Sequence, residues 1–237
     1  MDRPFLAAVG MIVALSGAGL SGAATAQSNP TVVELFTSQG CSSCPPADAY
    51  LAEIADRDDV IALALHVDYW DYIGWADTFG SPAFTKRQHG YAQAANQRSV
   101  YTPQAVVAGQ DETIGSSPSR VGALIAEDQA RPDVAQVALA RKGTAVTIRA
   151  TALAGFDGSV QVNLVHYIPD TTVSIARGEN AGRTIQYRNV VTGIDNLGTW
   201  DGKRALALSA PVKAGEPVVV LLQREAFGEI LAAAQLR

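Results

Sequence analysis

The most informative part of the sequence is residues 31–54, TVVELFTSQGCSSCPPADAYLAEI. Its first seven residues form an apolar run typical of a buried strand, and residues 46–55 have the spacing of a helix. Between them lies Gly40-Cys41-Ser42-Ser43-Cys44-Pro45-Pro46. Proline lacks a backbone N–H and is favoured in the first turn of a helix, so Cys44 is expected near the helix start. The stretch therefore predicts a strand, a loop carrying two cysteines, and a helix.

Cys41 and Cys44 are the only two cysteines of the 237-residue chain. The start of a helix presents unpaired N–H groups and the positive end of the helix dipole, which stabilise a thiolate and lower the pKa of a cysteine there. A disulfide between the two cysteines would stabilise the fold only weakly, because closing so short a loop contributes only about 2 kcal/mol in the chain-entropy model. We therefore expect thiol-disulfide exchange, with Cys41 as the more exposed nucleophile and Cys44 as the resolving thiol.

A second motif is Tyr101-Thr102-Pro103-Gln104, which opens a short apolar run. A proline at the start of a strand removes one hydrogen-bond donor from the edge. We expect the Thr102-Pro103 bond to be cis, with the backbone of Thr102 beside the dithiol, where it could pair with an extended substrate. Thr102 and Pro103 are thus candidate substrate-binding residues, and together with the two cysteines they resemble the corresponding features of a thioredoxin-like fold.

Three further side chains are candidates for proton transfer or for a wall of the site. His66 and Asp68 follow an apolar strand and should emerge at its carboxyl end, where open α/β sheets bind ligands. Glu34 interrupts an apolar strand, as a buried proton shuttle would, although an edge position facing water would explain it equally well. His66 could also be merely hydrogen-bonded, and the aromatic residues of segment 69–75 are expected mainly to pack.

The chain divides by pattern into two parts. Over residues 31–130 apolar runs alternate with helical stretches, which predicts strands at 31–37, 60–67 and 104–108 and helices at 46–55, 82–95 and 119–127. After residue 131 the pattern has a period of two, as at residues 146–151 and 160–164, which is typical of strands with one buried face. The expected fold is an α/β thioredoxin-like domain at 27–130, followed by an antiparallel β-sandwich-like lobe at 131–237.

The first 26 residues resemble a signal peptide: an apolar stretch runs from Phe5 to Leu20, and small residues precede Gln27. Cleavage after Ala26 would leave a periplasmic or secreted protein that does not insert into the membrane. That compartment permits disulfides to persist. A composition of 48% hydrophobic and 17% charged residues indicates a folded chain, and the net charge of −5 argues against a nucleic-acid partner.

The expected partner is an extracytoplasmic protein or a small thiol, with no cofactor. Two alternatives stay open at this point. One is a copper or zinc protein with Cys41, Cys44 and His66 as ligands, because thiolate and imidazole suit both metals. The other is a non-catalytic interaction module whose β-rich lobe binds a partner. The segment Gly178–Arg183 has the composition of a solvated loop, and no chemistry is assigned to it.

The chain carries the motifs ELFTSQGCSSCPPAD at 34–48, HVDYWDYIGW at 66–75, Arg87-Gln88, YTPQ at 101–104 and GENAGR at 178–183. In these motifs it resembles an uncharacterised family of secreted thioredoxin-like proteins. The resemblance covers nearly all of the chain after residue 26, and it implies a fold and an export route without an assigned reaction.

Overall fold

A computed structural model describes residues 29–237, which form eleven strands, three α-helices and one short 3-10 helix. The signal peptide predicted at residues 1–26 lies outside the described residues. In chain order the elements are β1 (Thr31–Thr37), α1 (Pro45–Ile54), β2 (Val60–His66), the 3-10 helix (Asp71–Ile73), α2 (Pro82–Ala94), β3 (Gln104–Val107), β4 (Asp111–Ile114), α3 (Pro118–Gln129), β5 (Ala135–Lys142), β6 (Ala145–Ala152), β7 (Val160–Ser174), β8 (Thr184–Trp200), β9 (Leu206–Pro211), β10 (Val218–Arg224) and β11 (Ile230–Leu236).

Most strands belong to one mixed sheet of eight, in the order β11-β10-β7-β8-β2-β1-β3-β4. β1 and β2 are parallel, in register from Thr31 opposite Val60 to Thr37 opposite His66. β3 runs antiparallel to β1 on its other side. Every residue of β1 and β2 is buried, which explains why these strands are nearly continuous apolar runs rather than alternating ones.

Helices cover both faces of this sheet at the end that carries the cysteines. α1 and α3 pack on one face, where Leu51 and Leu124 meet the side chains of Val33 and Leu35. α2 packs on the opposite face, where Phe84 joins the cluster around Phe36. A second sheet, in the order β5-β6-β9, encloses a third core with residues of β7 and β10.

The predicted fold class is wrong. Strands β7, β8, β10 and β11 do not form a separate sandwich-like lobe behind an α/β thioredoxin-like domain: they join β1–β4 in one large, mostly β structure. The junction is the parallel contact of β8 with β2, at Val190 opposite Ala64. The period-two pattern indicates that a segment is a strand, but it carries no information about which strand edge it will pair with. The boundary placed at residue 131 stays a prediction, and strands from both sides of it share the sheet.

The individual elements agree better with the sequence pattern. β1 has the predicted bounds, and the predicted strands and helices up to residue 130 each occur within two residues of the expected ends. These elements were predicted correctly because their signals are local, namely apolar runs, proline at helix starts and period-two alternation.

Candidate functional site

The two cysteines lie in the turn that connects β1 to α1. The N–H of Cys44 donates to the carbonyl of Cys41 at 3.2 Å, and the N–H of Ala47 donates to the carbonyl of Cys44 at 2.8 Å, so the chain winds directly into the helix. Cys44 is the N-cap residue, and its side chain makes no capping hydrogen bond. The sulfurs of Cys41 and Cys44 are 2.12 Å apart, as a disulfide, with 5.4 Å between the Cα atoms.

Both cysteines are covered, contrary to the expectation that Cys41 faces solvent. Cys41 is 1% exposed and Cys44 0% exposed, whereas Ser42 and Ser43 between them are exposed. The Trp70 backbone and the Ile73 side chain approach Gly40 so closely that a Cβ there would lie 3.3 and 3.4 Å from them. The Ser43 hydroxyl lies 3.4 Å from the Cys41 sulfur.

A distant asparagine holds the dithiol loop in place. Asn180, in the segment that joins β7 to β8, donates from Nδ2 to the carbonyls of Gln39, at 2.9 Å, and Cys41, at 2.8 Å. Asn180 is buried, although most of its neighbours in the segment Gly178–Arg183 are exposed. Sequence reasoning assigned this segment no chemistry, because a contact across 139 positions leaves no local pattern.

Thr102 and Pro103 lie next to the dithiol, and the bond between them is cis, as predicted. The carbonyl of Thr102 accepts a hydrogen bond from the Ser43 hydroxyl at 3.4 Å. Its hydroxyl accepts from Nε1 of Trp70 at 2.7 Å. The aromatic segment thus has a positioning role as well as a packing one.

His66 ends β2 and points into a buried polar cluster behind the dithiol loop. Its Nδ1 is 2.7 Å from Oδ2 of Asp77, and both side chains are fully buried. The same carboxylate oxygen accepts from the N–H of Gln39 at 2.7 Å. Burial alone would raise the pKa of Asp77, but the hydrogen bond and charge of His66 and the backbone donors outweigh it, so this pKa is lowered. Asp77 is therefore held ionised between His66 and the dithiol loop.

Asp48 is the second acid of this cluster. It lies in the first turn of α1, where its N–H donates to the carbonyl of Cys44 at 3.1 Å, and its Oδ1 accepts from the hydroxyl of Thr37 at 2.7 Å. Burial raises the pKa of Asp48 to about 7, although the charge of His66 and the Thr37 hydrogen bond oppose the shift. Its position four residues after Cys44, on the apolar side of a predicted helix, is a signal that could have identified it from the sequence.

Glu34 and Asp68 lie apart from these groups. Glu34 is on β1, but its side chain lies on the opposite face of the sheet, where two hydrogen bonds of 2.7 and 2.9 Å join it to Arg87 and a third joins it to Tyr91. This is a buried ion pair between β1 and α2. Asp68 accepts from the hydroxyl of Thr85 on α2 at 2.6 Å. The structure thus brings Cys41 and Cys44 together with Thr102 and Pro103, places His66 against Asp77 behind the dithiol loop, and leaves these two acids in contacts with α2.

The metal alternative requires Cys41, Cys44 and His66 in one cluster. Across residues 29–237 no three or more His, Cys, Asp or Glu side chains are grouped so that they could hold a metal ion. The sulfurs of Cys41 and Cys44 are instead bonded to each other as a disulfide. The copper or zinc alternative therefore receives no support from the geometry. In the same part of the chain, no helix has the length and apolar character needed to cross a membrane.

Comparison with known proteins gives a family and several similar solved structures. Residues 32–223 match the family model described as "Protein of unknown function (DUF1223)". The X-ray crystal structure of a protein from Agrobacterium tumefaciens is 32% identical, with a TM-score of 0.76 over 89% of this chain and 96% of that chain. HBP35 of Porphyromonas gingivalis is 17% identical, with a TM-score of 0.63 over 88% of this chain and 74% of that one, a likeness of fold alone. No curated protein matches this chain.

Proposed function

The chain belongs to the DUF1223 family of proteins of unknown function, and from its dithiol site we propose that it is a thiol-disulfide oxidoreductase. Its partners would be extracytoplasmic proteins or small thiols. The observation that carries the proposal is the bonded pair Cys41–Cys44 at the start of α1, adjacent to Thr102. A disulfide that closes so short a loop adds little stability, whereas a helix start favours the thiolate that exchange requires.

The exchange proceeds through Cys41. In the oxidising direction a thiolate of the partner attacks the Cys41 sulfur, the Cys41–Cys44 bond breaks, and Cys44 leaves as a thiolate. A second thiol of the partner, as its thiolate, then attacks the partner's sulfur in the mixed disulfide, the bond to Cys41 breaks, and Cys41 leaves as a thiolate. The partner gains a disulfide, and two electrons pass to the Cys41–Cys44 pair. The reducing direction reverses these steps. The Ser43 hydroxyl lies 3.4 Å from the Cys41 sulfur, and when the Cys41 thiolate forms it turns its one proton from the Thr102 carbonyl to that thiolate.

The assignment of Cys41 as the nucleophile follows from its surroundings. Its sulfur lies beneath the exposed Ser43, whereas Cys44 is the N-cap residue from which the buried side of α1 begins. Because Cys41 is only 1% exposed, an attacking sulfur must displace part of its cover. We place that movement in the segment Gly178–Arg183, which contacts the dithiol loop through the side chain of Asn180.

Thr102 and Pro103 are the proposed docking residues. An extended polypeptide that pairs with the backbone at Thr102 would bring its cysteine beside Ser43 and Cys41, since the Thr102 carbonyl is already within hydrogen-bond distance of Ser43. The proposed location is the periplasm or the cell exterior. It is supported by the signal-like residues 1–26 and by the persistence of disulfides in an oxidising compartment.

The proposal is tested by trapping the mixed disulfide. A Cys44→Ser variant lacks the resolving thiol, so it should accumulate adducts with extracytoplasmic proteins that dithiothreitol releases. The adducts can be resolved on non-reducing gels and identified by mass spectrometry.

The matched control is Cys41→Ser, which keeps Cys44 but lacks the nucleophile and should trap nothing. The proposal is overturned if neither variant forms adducts and the reduced protein reacts with small disulfides no faster than free cysteine does.

A further inference from the structure

Asp48 lies one helical turn beyond Cys44, on the same side of α1. Residues i and i+4 of a helix share a face, and helical side chains tilt toward the N-terminus, so the Asp48 carboxyl is directed back toward the turn that carries Cys44. The 3.1 Å hydrogen bond from the N–H of Asp48 to the carbonyl of Cys44 places both residues in this first turn. Both are buried, with Asp48 3% exposed and Cys44 0% exposed.

The other groups that face Asp48 come from four places in the fold. Thr37 of β1 donates to its Oδ1. His66 of β2 and Asp77 of the following loop act on it through their charges, and it acts in the same way on Tyr187 of β8. The rings of His66 and Tyr187 are 4.9 Å apart. The Asp48 carboxyl therefore lies in a small buried polar compartment, which both halves of the chain enclose. Its other members are Thr37, His66, Asp77 and Tyr187.

Three atoms of this compartment have no hydrogen-bond partner among the described residues: Oδ2 of Asp48, Nε2 of His66 and the hydroxyl of Tyr187. Leaving a buried polar atom unpaired costs about 1–3 kcal/mol. A carboxyl with a purely structural role would therefore lower the stability of the folded protein at this position. The Thr37 hydrogen bond, for example, needs only an oxygen acceptor, which an asparagine would also supply. What the carboxyl adds is the ability to take up and release a proton.

We propose that Asp48 is the proton acceptor and donor for the Cys44 sulfur during thiol-disulfide exchange. The inference rests on the proposed function. When the mixed disulfide between Cys41 and a partner is resolved, the Cys44 thiol transfers its proton to Oδ2 of Asp48 and its sulfur attacks the Cys41 sulfur. The Cys41–Cys44 bond forms, the bond to the partner breaks, and the partner leaves as a thiolate that is protonated by water. In the reverse direction Asp48 returns the proton to Cys44.

His66 and Asp77 are positioning residues in this scheme. The Asp77 carboxylate is 2.7 Å from Nδ1 of His66, which fixes the imidazole in the compartment with Nε2 free. The position of the imidazole sets how strongly the charged form of Asp48 is stabilised. With burial as the larger effect, the pKa of Asp48 lies near 7, where it can both accept and release a proton at neutral pH.

The test is a stopped-flow reaction of the reduced protein with excess dithiobis(nitrobenzoate). Attack by Cys41 releases one thionitrobenzoate at a rate that scales with reagent concentration, and attack by Cys44 on the mixed disulfide releases a second at a rate that does not. In the unmodified protein the second rate should rise with pH around 7. In Asp48→Asn it should be slower at pH 7 by about tenfold or more, and rise only toward the thiol pKa of about 8.5, with the first rate unchanged.

Two further variants complete the experiment. Asp58→Asn makes the same chemical change at an exposed position and should leave both rates unchanged. Thr37→Val removes a hydrogen bond that lowers the Asp48 pKa, so it should move the inflection of the second rate to higher pH even if Asp48→Asn fails to fold. The role of Asp48 is overturned if the second phase of Asp48→Asn has the same rate and pH dependence as in the unmodified protein. If Asp48→Asn does not fold, the same result in Thr37→Val overturns it. If the first phase is no faster than with free cysteine, the proposed function itself fails.

Discussion

Asn180 is the residue that most directly couples the second half of the chain to the dithiol. In Asn180→Ala the carbonyls of Gln39 and Cys41 lose their side-chain donor, and we expect the free energy of unfolding to fall by about 1–3 kcal/mol. Reduction of the disulfide by dithiothreitol should become faster, because the loop is held less tightly. Urea unfolding and reduction kinetics measure the two effects.

Arg183→Ala is the control for this prediction, since Arg183 belongs to the same segment but is exposed. It should change neither stability nor reduction rate appreciably. If Arg183→Ala has the larger effect, the segment acts through its charge and not through Asn180.

Glu34 is expected to matter for stability and not for exchange. Its ion pair with Arg87 is buried, and Glu34→Gln leaves the guanidinium without its charged partner, at a cost of about 3–5 kcal/mol. The pH dependence of thiol exchange should be unchanged, because Glu34 lies on the sheet face opposite Asp48. Glu53→Gln, at an exposed position of α1, controls for the chemical change. If the pH dependence of thiol exchange is shifted in Glu34→Gln, Glu34 takes part in exchange, contrary to this prediction.

The residues of the site differ in how far the sequence could identify them. Cys41, Cys44, Thr102 and Pro103 belong to short motifs whose chemistry is readable locally, and the structure brings them together. Glu34 was a reasonable candidate as an acid in an apolar strand, but the sequence does not show its ion-pair partner Arg87, which is 53 positions away. Asn180 carried no signal, because its contacts span 139 and 141 positions.

At the scale of elements, the turn between β7 and β8 determines how closely the segment Gly178–Arg183 approaches the dithiol loop. Gly178 has a φ of +78°, and a Cβ there would lie 3.1 Å from Cβ of Trp75. Gly178→Ala should therefore combine backbone strain with displacement of the segment, lowering stability by about 1 kcal/mol or more and speeding disulfide reduction. Thermal unfolding and dithiothreitol kinetics test both outcomes.

Gly182 provides a matched comparison in the same segment. Its φ is +81°, but a Cβ there would meet nothing within 4 Å. Gly182→Ala should show the backbone strain without the faster reduction. Equal reduction rates in the two variants would contradict the idea that contact with Trp75 sets the position of the segment.

The elements themselves were largely predictable, and their pairing was not. β1 and α1 follow from an apolar run and two prolines, which act within a few residues. The position of β8 beside β2 follows from long-range packing, in which Val190 and Tyr187 join the core beneath α1. Membership of an uncharacterised family was expected and is confirmed by the family match, whereas the α/β thioredoxin-like domain with a separate β-sandwich-like lobe, expected from the sequence pattern, was wrong.

At the scale of the whole molecule, the buried acid makes stability depend on pH. The pKa of Asp48 is about 7 in the folded protein and about 3.9 in the unfolded chain. Between about pH 3.9 and pH 7 the folded state binds more protons at Asp48 than the unfolded chain does. Asp48 therefore makes the free energy of unfolding fall as the pH rises from about 3.9 to about 7, and it causes no further change at higher pH. Relative to the unmodified protein, Asp48→Asn should gain about 2 kcal/mol or more between pH 5 and pH 8.

The measurement is urea unfolding of the oxidised protein at both pH values, with Asp58→Asn as the exposed control. The comparison between variants removes the contribution of Asp77, whose lowered pKa acts in the opposite direction at lower pH. A difference between Asp48→Asn and the unmodified protein that is the same at both pH values would contradict the raised pKa of Asp48.

The long interval between the dithiol and Asn180 also has a consequence for biosynthesis. Cys41 leaves the ribosome 139 residues before the side chain that will hold its loop. At a synthesis rate of about 5–20 residues per second, the interval is roughly 7–28 s. During that time the nascent chain carries both thiols without the contacts of the finished protein, so any enzyme or oxidant that meets the chain then acts on an unprotected pair.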